Sequence, residues 1–411
     1  MTNSSNQKSI RAYLIEMIMF LTYALFAVSW VAGSTLTPQI MESFDIKTFA
    51  NASLINNAIT VAKIVGNLMA AWVLIKLKPK KAIALGSILI SLSALGAFAT
   101  SYWIFVLTRF IMGIGGALFI VYFGPIVFNY FTAKQRPMIN GVNSVAYNVG
   151  SLIAMLVVTP VILALDSWQN TILVFAGTSF LLFIAWLIVG EDFELHQNKL
   201  QAADVGGQRY TFKEGLKDKF NYIYPFTYSG CLLLYLVILT IFPLSQTNSI
   251  DAKTLTAVMA IAGCVGTVFG IMAVKKFALR LPVIRWSGLA MTISALFMVT
   301  TSSPIFSLIA AFLLGFFTFL PMTTLVTIPQ ELPGMTPSKV TIIMGFFWSF
   351  AYIIETILYY LVGITIDMGG FQSGIYLAIG FSLTFFIGSF LLPETGKRRT
   401  VAEAAQVQPT A

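Results

Sequence analysis

The sequence predicts an all-α membrane protein with 12 transmembrane helices in two pseudo-symmetric six-helix bundles. Three observations carry that prediction. The chain has too little charge for a water-facing surface, its apolar runs are long enough to span a bilayer, and its Lys and Arg fall almost entirely on one side of those runs.

Hydrophobic residues make up 57% of the 411 and charged residues only 10%, with a mean hydropathy of +0.84. A soluble chain averages roughly 25% charged residues, so the polar skin of a soluble protein is missing. The net charge of +9 sits in short clusters beside apolar runs, which is the pattern of topology signals and not of a nucleic-acid surface. Cys231 and Cys264 lie inside apolar runs and read as reduced, buried thiols. His196 is the single histidine, so neither a histidine metal site nor a Ser-His hydrolase can be assembled, and no Gly-Lys-Ser/Thr phosphate loop is present. No metal or cofactor is therefore expected, and an enzyme is excluded as a reading. The polar lead with Lys8 and Arg11 runs into an apolar stretch too long for a signal-peptide core, so it is read as a retained first span.

A span needs ~20 mostly apolar residues. Twelve are read at 12–37, 52–75, 82–100, 103–130, 139–165 and 170–190, then at 222–245, 254–274, 283–302, 304–329, 340–364 and 374–392. Short Ser, Thr and Pro breaks divide the third span from the fourth and the ninth from the tenth. The domains expected are an N-terminal bundle, 1–190, a cytoplasmic linker, 191–221, a C-terminal bundle, 222–392, and a cytoplasmic tail, 393–411. A surface helix over Lys213–Lys219 is expected in the linker.

With the N-terminus inside, 21 of the 25 basic residues fall on the inner side, including Lys76, Lys78, Lys80, Lys81, Lys134, Arg136, Lys275, Lys276 and Arg280. Lys47 and Lys253 fall outside, while Lys63 and Arg109 lie within spans. This asymmetry predicts an even number of spans and cytoplasmic termini. The halves also echo each other about 200 residues apart. Lys76-Leu-Lys-Pro-Lys-Lys81 follows the second span and Lys275-Lys-Phe-Ala-Leu-Arg-Leu-Pro282 the eighth; Ile104-Phe105 opens the fourth and Ile305-Phe306 the tenth. Two parallel repeats of this kind place a path on the pseudo-two-fold axis between them.

Several motifs resemble those of the major facilitator superfamily of secondary transporters. Arg109-Phe-Ile-Met-Gly113-Ile-Gly115-Gly116 is similar to its Arg-x-x-x-Gly-x-Gly motif, and Leu392-Pro-Glu-Thr-Gly396 to a frequent ending. Ala71 to Lys81 resembles the loop motif between spans two and three, but Ile75 stands where the family usually has an acid and Ala71 where it has Gly. The usual inner latch is in doubt for that reason, with Lys76, Lys80 and Lys81 as the remaining gate candidates. The segment from Ile328-Pro-Gln-Glu-Leu-Pro-Gly to Gly363-Ile-Thr-Ile-Asp367 resembles the cyanate and nitroimidazole branch.

Charges inside a span cost roughly 2.5–3.5 kcal/mol or more each, so they are functional candidates by default. Glu16, Lys63, Arg109 and Glu355 are the four. Lys63 shares one helical face with Asn56, Thr60 and Asn67, and Trp348, Tyr352, Glu355 and Tyr359 repeat that spacing in the eleventh span. The resemblance implies that these spans face each other, so a Lys63–Glu355 pair is expected. Its role stays open between a gate, a static pair and a site where Lys63 binds an anion. Arg109 has two readings, contact with neighbouring helices and contact with a substrate carboxylate. Glu16 is expected to snorkel to the inner interface.

The fifth span carries Asn140, Asn143, Ser144, Tyr147, Asn148 and Ser151 on a face that does not suit lipid. Tyr224, Tyr228 and Tyr235 mark one face of the seventh, with Tyr228 and Tyr235 deep enough to line a path. Gly113, Gly115, Gly116, Gly263, Gly266 and Gly270 are read as close-packing positions. The resemblance implies a secondary active transporter, and the basic groups tilt its solute toward a small polar or anionic organic molecule, with protons as the coupling partner. A drug exporter of the same fold and a facilitated uniporter stay open. The expected setting is a bacterial inner membrane, with lipid and solute as partners, no nucleic acid, and a monomeric chain.

Overall fold

The structure, a computed structural model, describes residues 2–131, 135, 139, 142–192, 212–245, 250–333 and 337–396, and the regular elements among them are all helical. In the first half these are α1 (Thr2–Thr35), the short α2 (Thr37–Ser43), α3 (Phe49–Ser91), α4 (Tyr102–Tyr130), α5 (Ala146–Leu165) and α6 (Trp168–Val189). In the second half they are α7 (Phe220–Thr240), α8 (Ala252–Lys276), α9 (Leu281–Thr300), α10 (Pro304–Phe319), α11 (Met322–Glu331) and α12 (Pro337–Gly388).

Two of these elements are folded-back pairs. In α3 the chain turns at Lys78, whose φ of 62° is followed by Pro79; proline bars the preceding residue from the helical region, so the second span ends there and the third begins. In α12 the turn is at Gly370, with a φ of 80° that a glycine adopts without strain. Ten helices among the described residues are long and apolar enough to cross a membrane. One of them, Ile342–Gly388, is the eleventh and twelfth spans together, and the limb 49–77 of α3 adds the second, which completes twelve.

The short polar breaks read in the sequence are helix starts. Thr48, Ser101 and Ser167 each accept a backbone N–H three residues on, and Pro304 opens α10 at a position where its missing N–H costs nothing. Two expectations need correction. The stretch Lys213–Lys219 is not one surface helix, because the helical turn Phe212–Gly215 stops at Gly215, which packs against Phe346. The fifth span does not run unbroken from 139, since Val145 is in a turn and the continuous helix starts at Ala146. Lys134, Arg136, Asn140 and residues 193–211 lie outside the described residues.

The repeat is visible in how each half fastens its basic face. In the first half the Lys80 N–H donates to Asp192 Oδ1 over 3.0 Å, just past α6. In the second, the Arg280 and Leu281 N–H groups donate to the two oxygens of Glu394 over 2.8 and 3.0 Å, just past the twelfth span. Each carboxylate caps the start of its half's third helix, where the orphan N–H groups and the helix dipole favour an anion. Arg11 adds a 3.0 Å ion pair to Glu191 and Arg280 a 2.7 Å pair to Glu331. The Leu392-Pro-Glu-Thr-Gly396 ending is thus a clasp: Thr395 also donates to Glu331, over 2.9 Å. Hydrogen bonds from Arg280 and Thr395 hold the Glu331 carboxyl below the usual glutamate range.

Close packing follows the glycines. A side chain at Gly113 would lie 2.9 Å from the backbone of Ile59, and one at Gly115 would lie 2.6 Å from the Gly86 carbonyl. These two positions let α4 meet both limbs of α3 at backbone distance.

Candidate functional site

The second and eleventh spans meet across the two halves as an antiparallel pair in register. Phe49 and Ala50 donate backbone N–H groups to Asp367 over 2.6 and 2.9 Å. Asn56 Nδ2 then donates to Tyr359 Oη over 2.8 Å, the Thr60 and Thr356 hydroxyls meet at 2.7 Å, and Lys63 Nζ donates to Tyr352 Oη over 2.9 Å. Numbers rise on one helix as they fall on the other, so the polar stripes read in the sequence are the two sides of one seam.

The upper part of that seam is closed toward the face opposite the basic loops. Asn56 Oδ1 accepts from Trp30 Nε1 at 2.9 Å and from Ser34 Oγ at 2.8 Å, while Tyr359 Oη also meets Thr240 Oγ1 at 2.7 Å. Four spans from both halves are thereby tied through one amide and one phenol. Above the tie, Asp367 caps the start of α3, Phe49 meets the Phe371 ring edge-on at 5.2 Å, and Gly363 allows the Ala50 backbone to approach.

Below the tie is Lys63, 3% exposed. Its ammonium lies 4.7 Å from the Trp30 ring centroid, 4.9 Å from Tyr352, 5.7 Å from Tyr147 and 5.8 Å from Phe26. Aromatic faces attract a cation electrostatically, and more so when water is excluded. The expected contact with Glu355 is not made in this state. The antiparallel register puts Tyr352 opposite Lys63, and both Glu355 oxygens are buried without a hydrogen bond.

Arg109 is buried and donates to the Ser29 and Trp30 carbonyls, each over 2.8 Å. Its guanidinium is used on the backbone of α1 and is not part of the cavity wall described next. Glu16 does not snorkel. Arg11 takes Glu191 instead, and Glu16 is 5% exposed beside Asn143, close enough to interact but without a hydrogen bond of ordinary geometry. Tyr224 donates to the Leu325 carbonyl over 2.8 Å and stacks on Phe347, so it serves packing. Lys76 lies over the Trp72 ring at 4.7 Å on the basic face, and Lys81 is exposed there.

A cavity of about 540 Å³ occupies the space between the halves, with walls from both. Among the described residues Lys63 supplies its one charged side chain, and Tyr147, Asn148, Tyr228, Tyr235 and Tyr352 join it, whereas Asn56, Thr60, Asn143 and Glu355 are not in the wall. Tyr23, Trp30, Trp348 and Phe319 complete the aromatic wall. Met322, Thr323 and Val326, where the tenth span breaks at Leu320-Pro321, carry the wall toward the basic face. Tyr23, Trp30 and Phe319 were missed because an aromatic residue in an apolar span has no signal that separates wall from core. Among the described residues no group of His, Cys, Asp or Glu is placed to hold a metal.

Twelve membrane-spanning helices in two halves, hydrogen-bonded to each other toward one face and hollow between the halves, define a multi-pass integral membrane protein with the architecture of a transporter. The chain matches the Major Facilitator Superfamily over residues 18–355 and belongs to that family. An uncharacterised protein of Campylobacter jejuni subsp. jejuni serotype O:2 is 32% identical over 178 residues, covering 43% of this chain and 55% of that one. An uncharacterised protein of Mesomycoplasma hyopneumoniae is 22% identical over 205 residues, 46% of this chain and 42% of that one. The chain thus spans about half the length of the curated relatives it matches.

Among solved structures, a D-xylose-proton symporter superposes with a TM-score of 0.70 at 15% identity, covering 93% of this chain and 98% of that one. The inward open conformation of the xylose transporter XylE from E. coli gives 0.69 at 17% identity, covering 97% and 100%. At these identities the likeness is one of fold.

Proposed function

We propose that the protein is a secondary active transporter that moves a small polar or anionic organic solute by alternating access, coupled to protons. One observation carries the reading: Lys63 sits at the end of a cross-half hydrogen-bond seam and in the wall of a cavity between the halves. A group in both places links occupancy of the cavity to the closure of the opposite face. Bundles 1–190 and 222–392 are the moving bodies, joined by the linker 191–221, with the tail 393–411 following. Both termini are read as cytoplasmic, which the one-sided distribution of Lys and Arg supports; the membrane is read as a bacterial inner membrane and the working unit as a monomer.

Glu355 is the proton-exchanging group of choice. It is a buried carboxyl without a hydrogen bond, and Lys63 and Thr60 are the neighbours that bear on it. A carboxyl so placed exchanges a proton only when the seam opens to water or Lys63 turns toward it. The structural neighbours, a D-xylose-proton symporter and a xylose transporter in an inward open conformation, fit this reading. A drug exporter accepting cations fits less well, because no carboxylate belongs to the cavity wall.

The test is uptake into liposomes containing the purified protein, with and without an inward proton gradient. Gradient-driven accumulation of a solute by wild type, lost in Glu355→Gln while that variant still exchanges the solute across the membrane, is the expected result. Accumulation unchanged in Glu355→Gln contradicts the coupling role.

A further inference from the structure

The buried polar groups at the cavity wall include several donors without a matching acceptor. Asn56 Oδ1 is taken by Trp30 and Ser34, and Asn56 Nδ2 donates to Tyr359. Tyr235 Oη donates to Asn148 Oδ1 over 2.8 Å, which gives the acceptor end of that amide a partner. Its donor end, Asn148 Nδ2, is buried with no partner on a residue only 1% exposed. Tyr147 Oη is also buried without a partner. Tyr352 Oη already accepts from Lys63, so its own hydrogen is what it can still offer. An ammonium has three donors and no acceptor; one of those on Lys63 is used by Tyr352, and the others point among ring faces.

Donors left unmatched in a buried site are costly unless an occupant supplies acceptors. Among the described residues the wall holds no carboxylate and one basic group, Lys63. Much of the remaining surface is ring, from Tyr23, Trp30, Tyr228, Phe319 and Trp348, with aliphatic side chains between them. A sugar or other neutral polyol leaves the charge of Lys63 unmatched. A cation meets Lys63. A short aliphatic acid satisfies the charge but leaves the rings unfilled in a cavity of about 540 Å³.

We propose that the cavity binds an aromatic monocarboxylate, its carboxylate on Lys63 with Tyr147 and Tyr352, an acceptor on its far side reaching Asn148 Nδ2, and its ring between the aromatic walls. This rests on the reading of the cavity as the transport path and names the class of solute that path takes. Flat π faces stack on the aromatic walls at separations of a few ångströms, and the charge-assisted bonds to the carboxylate are the strong ones.

The experiment is equilibrium binding to the purified full chain by calorimetry at neutral pH, with 4-hydroxybenzoate, benzoate, 4-hydroxybenzamide, butyrate and D-xylose as probes. The expected order is 4-hydroxybenzoate tightest, benzoate severalfold weaker, and the amide, butyrate and xylose at least tenfold weaker. Asn148→Leu should remove the advantage of the 4-hydroxyl while leaving benzoate binding in place, and Lys63→Met should abolish discrimination between acid and amide. Equal affinity for acid and amide in the wild type overturns the proposal, as does xylose binding more tightly than either acid. Should xylose or another solute be accumulated in liposomes while the aromatic acids do not bind, the transport reading stands and this one fails. If the acids bind as expected but nothing tested is transported, the site assignment stands and the transport reading fails.

Discussion

Lys63 and Tyr352 join the two halves of the molecule through a single 2.9 Å hydrogen bond at the edge of the cavity. The bond has a charged donor, and Lys63 has three further aromatic neighbours within 6 Å. An occupant that draws the ammonium into the cavity must compete with Tyr352, so filling the site and loosening the seam are one event. On the transport function proposed above, that coupling is what alternating access would consist of.

Replacing Lys63 should therefore separate function from stability. A buried charge exchanged for an apolar side chain of similar length is often neutral or stabilising. Lys63→Met is expected to lose at least tenfold in solute uptake while its melting temperature in detergent stays within a few degrees of wild type or rises. Tyr352→Phe removes only the hydrogen bond, of the order of 1.5–3 kcal/mol for a charged donor, and should give an intermediate defect. Loss of folding in both would mean that the pair holds the helices together and does nothing else.

Asp367 should set how firmly the opposite face is shut. It accepts two N–H groups at the start of α3, a capping arrangement that contributes roughly 0.5–2 kcal/mol. Asp367→Ala is expected to raise labelling of a cysteine placed at Ser53, which is buried in the seam, by about threefold to thirtyfold in a background lacking Cys231 and Cys264. The rate of modification by a membrane-impermeant thiol reagent measures this. An unchanged rate would show that the closure does not depend on the cap.

The matched caps at the basic face predict matched costs. Asp192→Ala and Glu394→Ala each remove a carboxylate from the start of a third helix, and each should destabilise by about 1 kcal/mol. The double variant should lose roughly the sum, because well-separated sites behave additively. Denaturation midpoints in detergent provide the comparison, and a cost confined to one half would break the parallel between the repeats.

Glu331 gives the chain a stability component that acid removes. Arg280 and Thr395 hold its carboxyl below the usual range, so the folded protein keeps the proton off where the unfolded chain, near ~4.3, begins to take it up. The contribution is complete above that unfolded value and is lost as pH falls through the lower, folded one. The melting temperature of wild type should drop across that acidic window more than that of Glu331→Gln, which lacks the component at every pH. Parallel curves for the two proteins would contradict the assignment.

Much of this arrangement was legible in the residues because it depends on local spacing. The offsets of Asn56, Thr60 and Lys63 fixed one face of a helix, Tyr352 and Tyr359 fixed another, and Ser101, Ser303 and Lys78-Pro79 marked where spans begin and end. What spacing could not give was the register between helices from opposite halves. Lys63 meets Tyr352 and not Glu355 because of how two distant segments slide against each other, and no single segment encodes that slide. Arg109 was open for the same reason: its partners, the carbonyls of Ser29 and Trp30, carry no side-chain signature. Glu16 was misplaced because Arg11 looked like its escort, whereas Glu191, distant in sequence, takes that role.

The central claim is that the two halves rock about the seam, and it is tested most directly by pairs of spin labels across them. One pair belongs at Lys47 and Gln372 on the opposite face, the other at Lys81 and Lys276 on the basic face, all exposed. In the absence of solute the first pair should be close and the second wide. Added solute or lowered pH should populate a state in which the first distance lengthens as the second shortens. A single distance at each face that no solute or pH changes would contradict the account.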